Sequence, residues 1–141
     1  MASEDLNVLH NEARGFAECM LLAHGEFIPF GVSMSSDGNI THVAGNLGTE
    51  YPQSAEMVEF LQSCFARAAT RGDIRAAGVC LNMYIVPPGE QRKTDAICTR
   101  LAHVSGEAVE VFVPYARDRT GTFHLAQPFA VAGREFQLVG S

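Results

Sequence analysis

The residues of this 141-residue chain that could do chemistry are few and scattered. Its five histidines are His10, His24, His42, His103 and His124, and no two share the i, i+4 spacing of a helical metal pair. His10-Asn11-Glu12 lacks the pattern of a zinc protease. Cys98 and His103 lie five positions apart, which puts them on opposite faces of a regular strand and forbids a shared metal. The four cysteines, Cys19, Cys64, Cys80 and Cys98, have neither metal-site nor redox spacing, and they read as free thiols behaving as small hydrophobes. Gly31-Val32-Ser33-Met34-Ser35 lacks the final glycine of a nucleophile elbow and sits inside a strand pattern. Gly45-Asn46-Leu47-Gly48 lacks the third glycine and the lysine of a phosphate loop and reads as a turn. No catalytic residue, metal or cofactor is expected from these patterns.

Two groups remain as candidates. Arg92-Lys93-Thr94-Asp95, with Arg100 further along, places charges among apolar neighbours, where an unpaired charge is costly. Asp95 and Arg100 either pair structurally, with Glu26, Glu110 or each other, or mark the polar floor of a small-ligand site that has Arg92 nearby. Tyr51-Pro52, with Phe27 and Pro29, either anchors a partner or packs a loop.

The balance of the chain narrows its class. Ten basic and 16 acidic side chains give a net charge of −6, with 47% hydrophobic residues. A nucleic-acid binder carries a basic patch, and the densest cluster here is Arg92-Lys93, so nucleic acid is not expected as a partner. No run approaches the roughly 18 apolar residues of a membrane span, and no membrane partner is expected. The acidic start, Met-Ala-Ser-Glu-Asp, lacks the features of a secretory signal. A cytoplasmic location is therefore expected, and the sequon Asn39-Ile40-Thr41 carries no weight.

The elements that must position these residues follow from periodicity. Leu9, Ala13, Phe16, Ala17, Met20 and Leu21 mark an amphipathic helix over 5–24, with Gly25 at its C-cap. Residues 26–35 alternate as a strand, and Pro29 marks an edge or bulge. Asp37-Gly38 makes a hairpin turn to a return strand at 40–44. Ser54 can cap a second helix that ends at Gly72. Strands are expected at about 74–86, 94–103 and 107–115, with one or two short ones in the tail. One α+β domain over 1–141 follows, with residues 1–5 disordered. Its order is helix-strand-strand-helix-strand-strand-strand, with two helices mainly on one face of a five-stranded antiparallel sheet. The first strand is expected to pair with the last of the meander.

The meander is apolar on both faces. With a hairpin centred near Glu90 and a two-residue turn at Ser105-Gly106, Ile85 opposes Asp95 and Leu101 opposes Glu110. One face then holds Val79, Leu81, Met83, Ile85, Ile97, Leu101 and Phe112. The other holds Cys80, Tyr84, Ala96, Cys98, Ala102, Val109, Val111 and Val113. A one-residue shift exchanges members without making either face polar. Such a sheet needs cover on both sides, from a second copy of the chain or from the 121–141 tail.

The element order resembles that of roadblock and profilin-like domains over residues 5–115. Separately, Glu26-Phe27-Ile28-Pro29-Phe30-Gly31 and Lys93-Thr94-Asp95-Ala96-Ile97 resemble segments of a family of small uncharacterised bacterial proteins, a likeness that carries no activity. Roadblock-like domains generally dimerise and scaffold regulatory partners. The resemblance therefore implies a non-enzymatic interaction or regulatory module, homodimeric and open to a protein partner. The alternative is a small-ligand-binding domain with a pocket between sheet and helix. Tyr51, Arg92, Asp95 and Arg100 are the candidate ligand- or partner-binding residues.

Overall fold

A computed structural model describes residues 2–44 and 54–138. Helix α1 (Ala2–His24) leads to the hairpin β1 (Phe30–Ser35) and β2 (Ile40–Ala44), then to helix α2 (Ser54–Thr70). The meander β3 (Ile74–Ile85), β4 (Thr94–His103) and β5 (Ala108–Arg117) follows, and the tail adds β6 (Phe123–Leu125) and β7 (Phe129–Ala132). Among the described residues the fold is α+β with two helices and a seven-stranded antiparallel sheet, not a five-stranded one. The two additions are the short tail strands, which pair in tandem with the outer edge of β5. Residues 2–5, expected to be disordered, form the first turn of α1.

The sheet order is β2-β1-β3-β4-β5. β1 therefore pairs with the first strand of the meander rather than with the last. The outer edge of β5 is instead occupied by β6 and β7.

Both faces of the sheet are apolar, and the chain covers both itself. Leu9, Ala13, Ala17 and Leu21 of α1 pack on Val32, Cys80, Ile97, Leu101 and Val113. Across the sheet, Val58, Leu61 and Phe65 of α2 pack on Ala77, Val79 and Ala102. Phe136 and Leu138 of the tail join that second cluster, with the Phe65 and Phe136 rings 6.3 Å apart. The helices thus lie on opposite faces, correcting the one-sided expectation. Strand alternation requires this: Cys80 points to one side and Val79 to the other. The tail, with α2, closes the rear face.

Both meander registers are one residue off the expected ones, and the turns explain why. Pro87-Pro88-Gly89-Glu90 forms a tight turn in which Glu90 N–H bonds to the Pro87 carbonyl at 3.0 Å and Gly89 has a φ of 80°. That turn sets Tyr84, not Ile85, opposite Asp95. The next connection uses three residues, Val104 to Gly106, closed by His103 N–H to Glu107 carbonyl at 2.8 Å. Leu101 then meets Val109, and Arg100 meets Glu110. As a result Ile97 and Leu101 join Cys80 under α1, while Ala96, Cys98 and Ala102 join the rear.

Two local features hold the layers in place. Gly31 gives α2 its seat: a Cβ there would lie 2.5 Å from the Phe65 ring. Asp5, in the first turn of α1, accepts hydrogen bonds from Arg75 at 3.1 Å and His103 at 3.0 Å. His103 Nδ1 accepts the Ser105 N–H at 3.0 Å, so its proton sits on Nε2, facing Asp5. Arg75 also donates to the Ser36 carbonyl at 3.2 Å, tying the helix start to the β1–β2 turn. Burial opposes the charge of Asp5, but the bonds from His103 and Arg75 outweigh it and hold the carboxyl below the usual carboxylate range.

Gly31→Ala is expected to cost about 1–3 kcal/mol by overpacking against Phe65, measured by urea denaturation. Asp5→Asn is expected to cost about 1–3 kcal/mol at neutral pH. A carboxyl whose pKa falls on folding stabilises the fold above its unfolded value of about 4 and loses that contribution as pH drops below it. The deficit of Asp5→Asn should therefore shrink in denaturation curves taken at progressively lower pH through that range.

Candidate functional site

The helices leave the distal end of the sheet uncovered, and the polar residues of interest gather there on two opposite faces. On the α1 side, Tyr84, Asp95 and Tyr115 sit side by side on adjacent strands. Tyr115 O–H donates to Asn82 Oδ1, and Asn82 Nδ2 donates to Asp95 Oδ1 at 3.1 Å. Burial, and then the charge of Asp95, push the Tyr115 phenol up to about 12, so it stays a donor at neutral pH. The Lys93 ammonium lies 5.9 Å from the centre of the Tyr84 ring. The Arg117 guanidinium lies 4.6 Å from the Phe123 ring and donates to the Gly25 carbonyl at 3.3 Å, next to the C-cap of α1.

Large apolar side chains flank this ledge without being buried. Tyr84 is 64% exposed, Ile28 61% and Leu22 75%. Leu22, Phe123 and Leu125 border a crevice of about 380 Å³ between α1 and β6. The ledge offers aromatic surface with charges of both signs, a pattern suited to recognition. It holds no nucleophile beside a base.

On the rear side, a cleft of about 700 Å³ opens between the β3–β4 loop, the end of β5 and the 126–129 segment. Arg92, Glu90 and His124 border it, with Pro114, Pro128 and Phe129 among its apolar walls. His124 Nε2 bonds to Asp118 Oδ2 at 2.7 Å. Hydrogen bonds from Thr120 and His124 hold the Asp118 carboxyl well below the usual range. Phe129 stacks on Phe112 with 5.0 Å between ring centres and 14° between planes.

The sequence candidates separate. Arg92 borders the rear cleft, and Asp95 belongs to the ledge. Arg100 lies on the other face of β4 from Asp95 and is enclosed under α2. It donates to Gln62 Oε1 at 3.1 Å and sets Nε 3.5 Å from Glu110 Oε2. The Glu110 side chain is 9% exposed, and the Cys98 thiol donates to the same oxygen at 3.4 Å. Of the expected pairings, Arg100 with Glu110 is the one formed, whereas Asp95 bonds to Asn82. Among the described residues, two helix–sheet crevices, one by α1 and β6 and one by α1 and the start of β5, contain none of the three. Tyr51 lies outside the described residues. Its companions Phe27 and Pro29 are buried, Phe27 against Phe30 with ring centres 6.0 Å apart, so they pack the joint rather than anchor a partner.

Cys80 and Cys98 are buried and inert. Burial pushes the Cys80 thiol up to about 12, against the hydrogen bond it receives from Thr99. Burial, followed by the charge of Glu110, pushes Cys98 higher still. Among the described residues no group of three His, Cys, Asp or Glu side chains could hold a metal, and no helix is long and apolar enough to cross a membrane. Sequence reasoning passed over Asn82, Tyr115, His124 and Phe129 as site residues. Asn82 had a signal, as the uncharged polar residue interrupting the apolar run of β3. His124 and Phe129 had none, because the tail meets the β3–β4 loop only through folding. A comparison with protein-family models finds no match, and comparisons with curated proteins and with solved structures find none either.

Arg100→Ala, which leaves Glu110 enclosed without its cation, is expected to cost roughly 2–4 kcal/mol in denaturant unfolding. Asp95→Ala, at an exposed position, is expected to cost less than about 1 kcal/mol.

Proposed function

We propose that this chain is a non-enzymatic interaction module with a regulatory role, working as a homodimer whose two-fold interface is the ledge at the C-terminal end of α1. The observation that carries this reading is the exposure of Leu22, Ile28 and Tyr84 around a set of mixed charges. Tyrosine and arginine at such a patch are the side chains that most often anchor interfaces. A two-fold interface must be self-complementary, since each residue meets the same surface on the other copy. Asp95 on one copy can face Lys93 or Arg117 on the other. The chain carries a net charge of −6, which opposes self-association in general. The ledge sets the cations Lys93 and Arg117 near Asp95, so its charges are mixed rather than uniformly acidic.

Other features agree. The buried thiols are protonated donors or acceptors rather than nucleophiles. The Asp5, His103 and Arg75 group is spent on holding α1 in place. The element order resembles that of roadblock-like domains, which generally dimerise, although here β1 pairs with the first strand of the meander. On the rear face α2, Phe136 and Leu138 cover the middle of the sheet, and the proposed second copy uses the apolar surface on the α1 side instead.

Light scattering coupled to size exclusion at tens of micromolar is expected to give a dimer. Tyr84→Ala combined with Ile28→Asp should give a monomer with little change in melting temperature. Asp95→Lys should weaken the dimer, and adding Lys93→Asp and Arg117→Asp should restore it. A monomeric wild-type chain at that concentration overturns the proposal.

A further inference from the structure

We infer that the rear cleft between the β3–β4 loop and the tail binds a small molecule made of a planar ring carrying a carboxylate or phosphate group. This site opens toward the opposite face from the ledge, with Lys93 and Tyr115 at the border between the two, and it is argued from residues of its own, Arg92 and Phe129.

The walls point to a ring. Phe129 lines the cleft, and one of its faces is taken by Phe112, which lies behind it at 5.0 Å and 14° and is buried. A planar ligand lying on Phe129 would extend that stack, in the offset arrangement that aromatic rings favour. Pro114 and Pro128 add flat apolar surface on either side. Small-molecule sites are mostly apolar with a few placed polar groups, and this cleft follows that division. Its volume, about 700 Å³, accommodates a substituted ring.

The rim points to an anion. Arg92 and Glu90 both border the cleft, while the Asp118 carboxylate behind His124 is already taken up by the hydrogen bonds it receives from Thr120 and His124. The Lys93 ammonium is engaged over Tyr84 on the other face. Arg92 makes no hydrogen bond or ion pair with any described residue, which leaves its planar fork of donors free for a carboxylate or phosphate. His124 closes the far side, held by its 2.7 Å bond to Asp118. Ala126 N–H is bonded to the Pro114 carbonyl at 2.7 Å, which ties the tail wall of the cleft to β5.

The test is titration of the isotope-labelled protein with benzoate, phenyl phosphate, inorganic phosphate and benzyl alcohol, followed by NMR. At least one of the two aryl anions is expected to give saturable shifts of the Thr94, Ala116 and Gln127 amides. Inorganic phosphate and benzyl alcohol should each bind about tenfold more weakly or worse, a difference of about 1.4 kcal/mol. Arg92→Ala, an exposed loop substitution that should leave the spectrum folded, is expected to lose about the same factor for the aryl anion. Phe129→Leu should weaken it while leaving the dimer intact. The inference is overturned if neither aryl anion gives saturable shifts. It is equally overturned if inorganic phosphate or benzyl alcohol binds as well as the aryl anion, or if Arg92→Ala binds unchanged. A monomeric wild-type protein that still binds the aryl anion would overturn the dimer and leave this site standing.

Discussion

Every residue from Ala76 to Cys80 is buried, so the middle of β3 meets apolar atoms on both of its faces. The rest of the architecture follows from that constraint. A strand with no wet side must lie between two layers. The chain provides α1 for one and α2 with Phe136 and Leu138 for the other. Gly31 admits the Phe65 ring of α2, and within the sheet Gly78 makes room for its β4 neighbour, since a Cβ there would lie 2.8 Å from the Leu101 side chain. Close packing of this kind leaves little room for rearrangement at the centre of the sheet.

The same enclosure explains how a charge survives inside the domain. Arg100 projects toward α2, and it is tolerable there because the register places Glu110 opposite it and Gln62 above it. Cys98 adds a thiol donor to the same carboxylate. A buried ion pair of this type contributes little net stability over an apolar pair, but breaking it is costly. Its effect is to penalise any slip between β4 and β5 that would separate the two charges.

Function, on this reading, belongs where the covers stop. Neither helix shields the far end of the meander, so Asn82, Tyr84, Asp95 and Tyr115 meet solvent on one face. On the other, the cleft beside Arg92 forms where the β3–β4 loop passes the tail. Sheet alternation separates the two regions: Asp95 and Arg100 share a strand but point to opposite sides. The ledge carries mixed charge and exposed aliphatic surface, which suits a second protein copy. The cleft is concave, walled by proline and phenylalanine and bordered by the Arg92 guanidinium, which suits a small anion.

What the sequence determined by itself was local. Gly25 and Gly72 end the helices, Asp37-Gly38 turns the first hairpin, and the apolar alternation of residues 74–115 both places the strands and requires cover on each side. These follow from backbone preferences and side-chain periodicity over a few residues. The tertiary structure decided the rest. The Pro87–Glu90 turn moved the β3–β4 register by one, and with it the faces of Ile97 and Leu101, while a three-residue loop in place of a two-residue turn moved the β4–β5 register and the partner of Arg100. The choice of β3 rather than β5 as neighbour to β1, and the meeting of Phe129 with the β3–β4 loop, depend on contacts between residues distant in the chain. Their free energies arise from burial shared among several elements, and no single segment encodes that quantity.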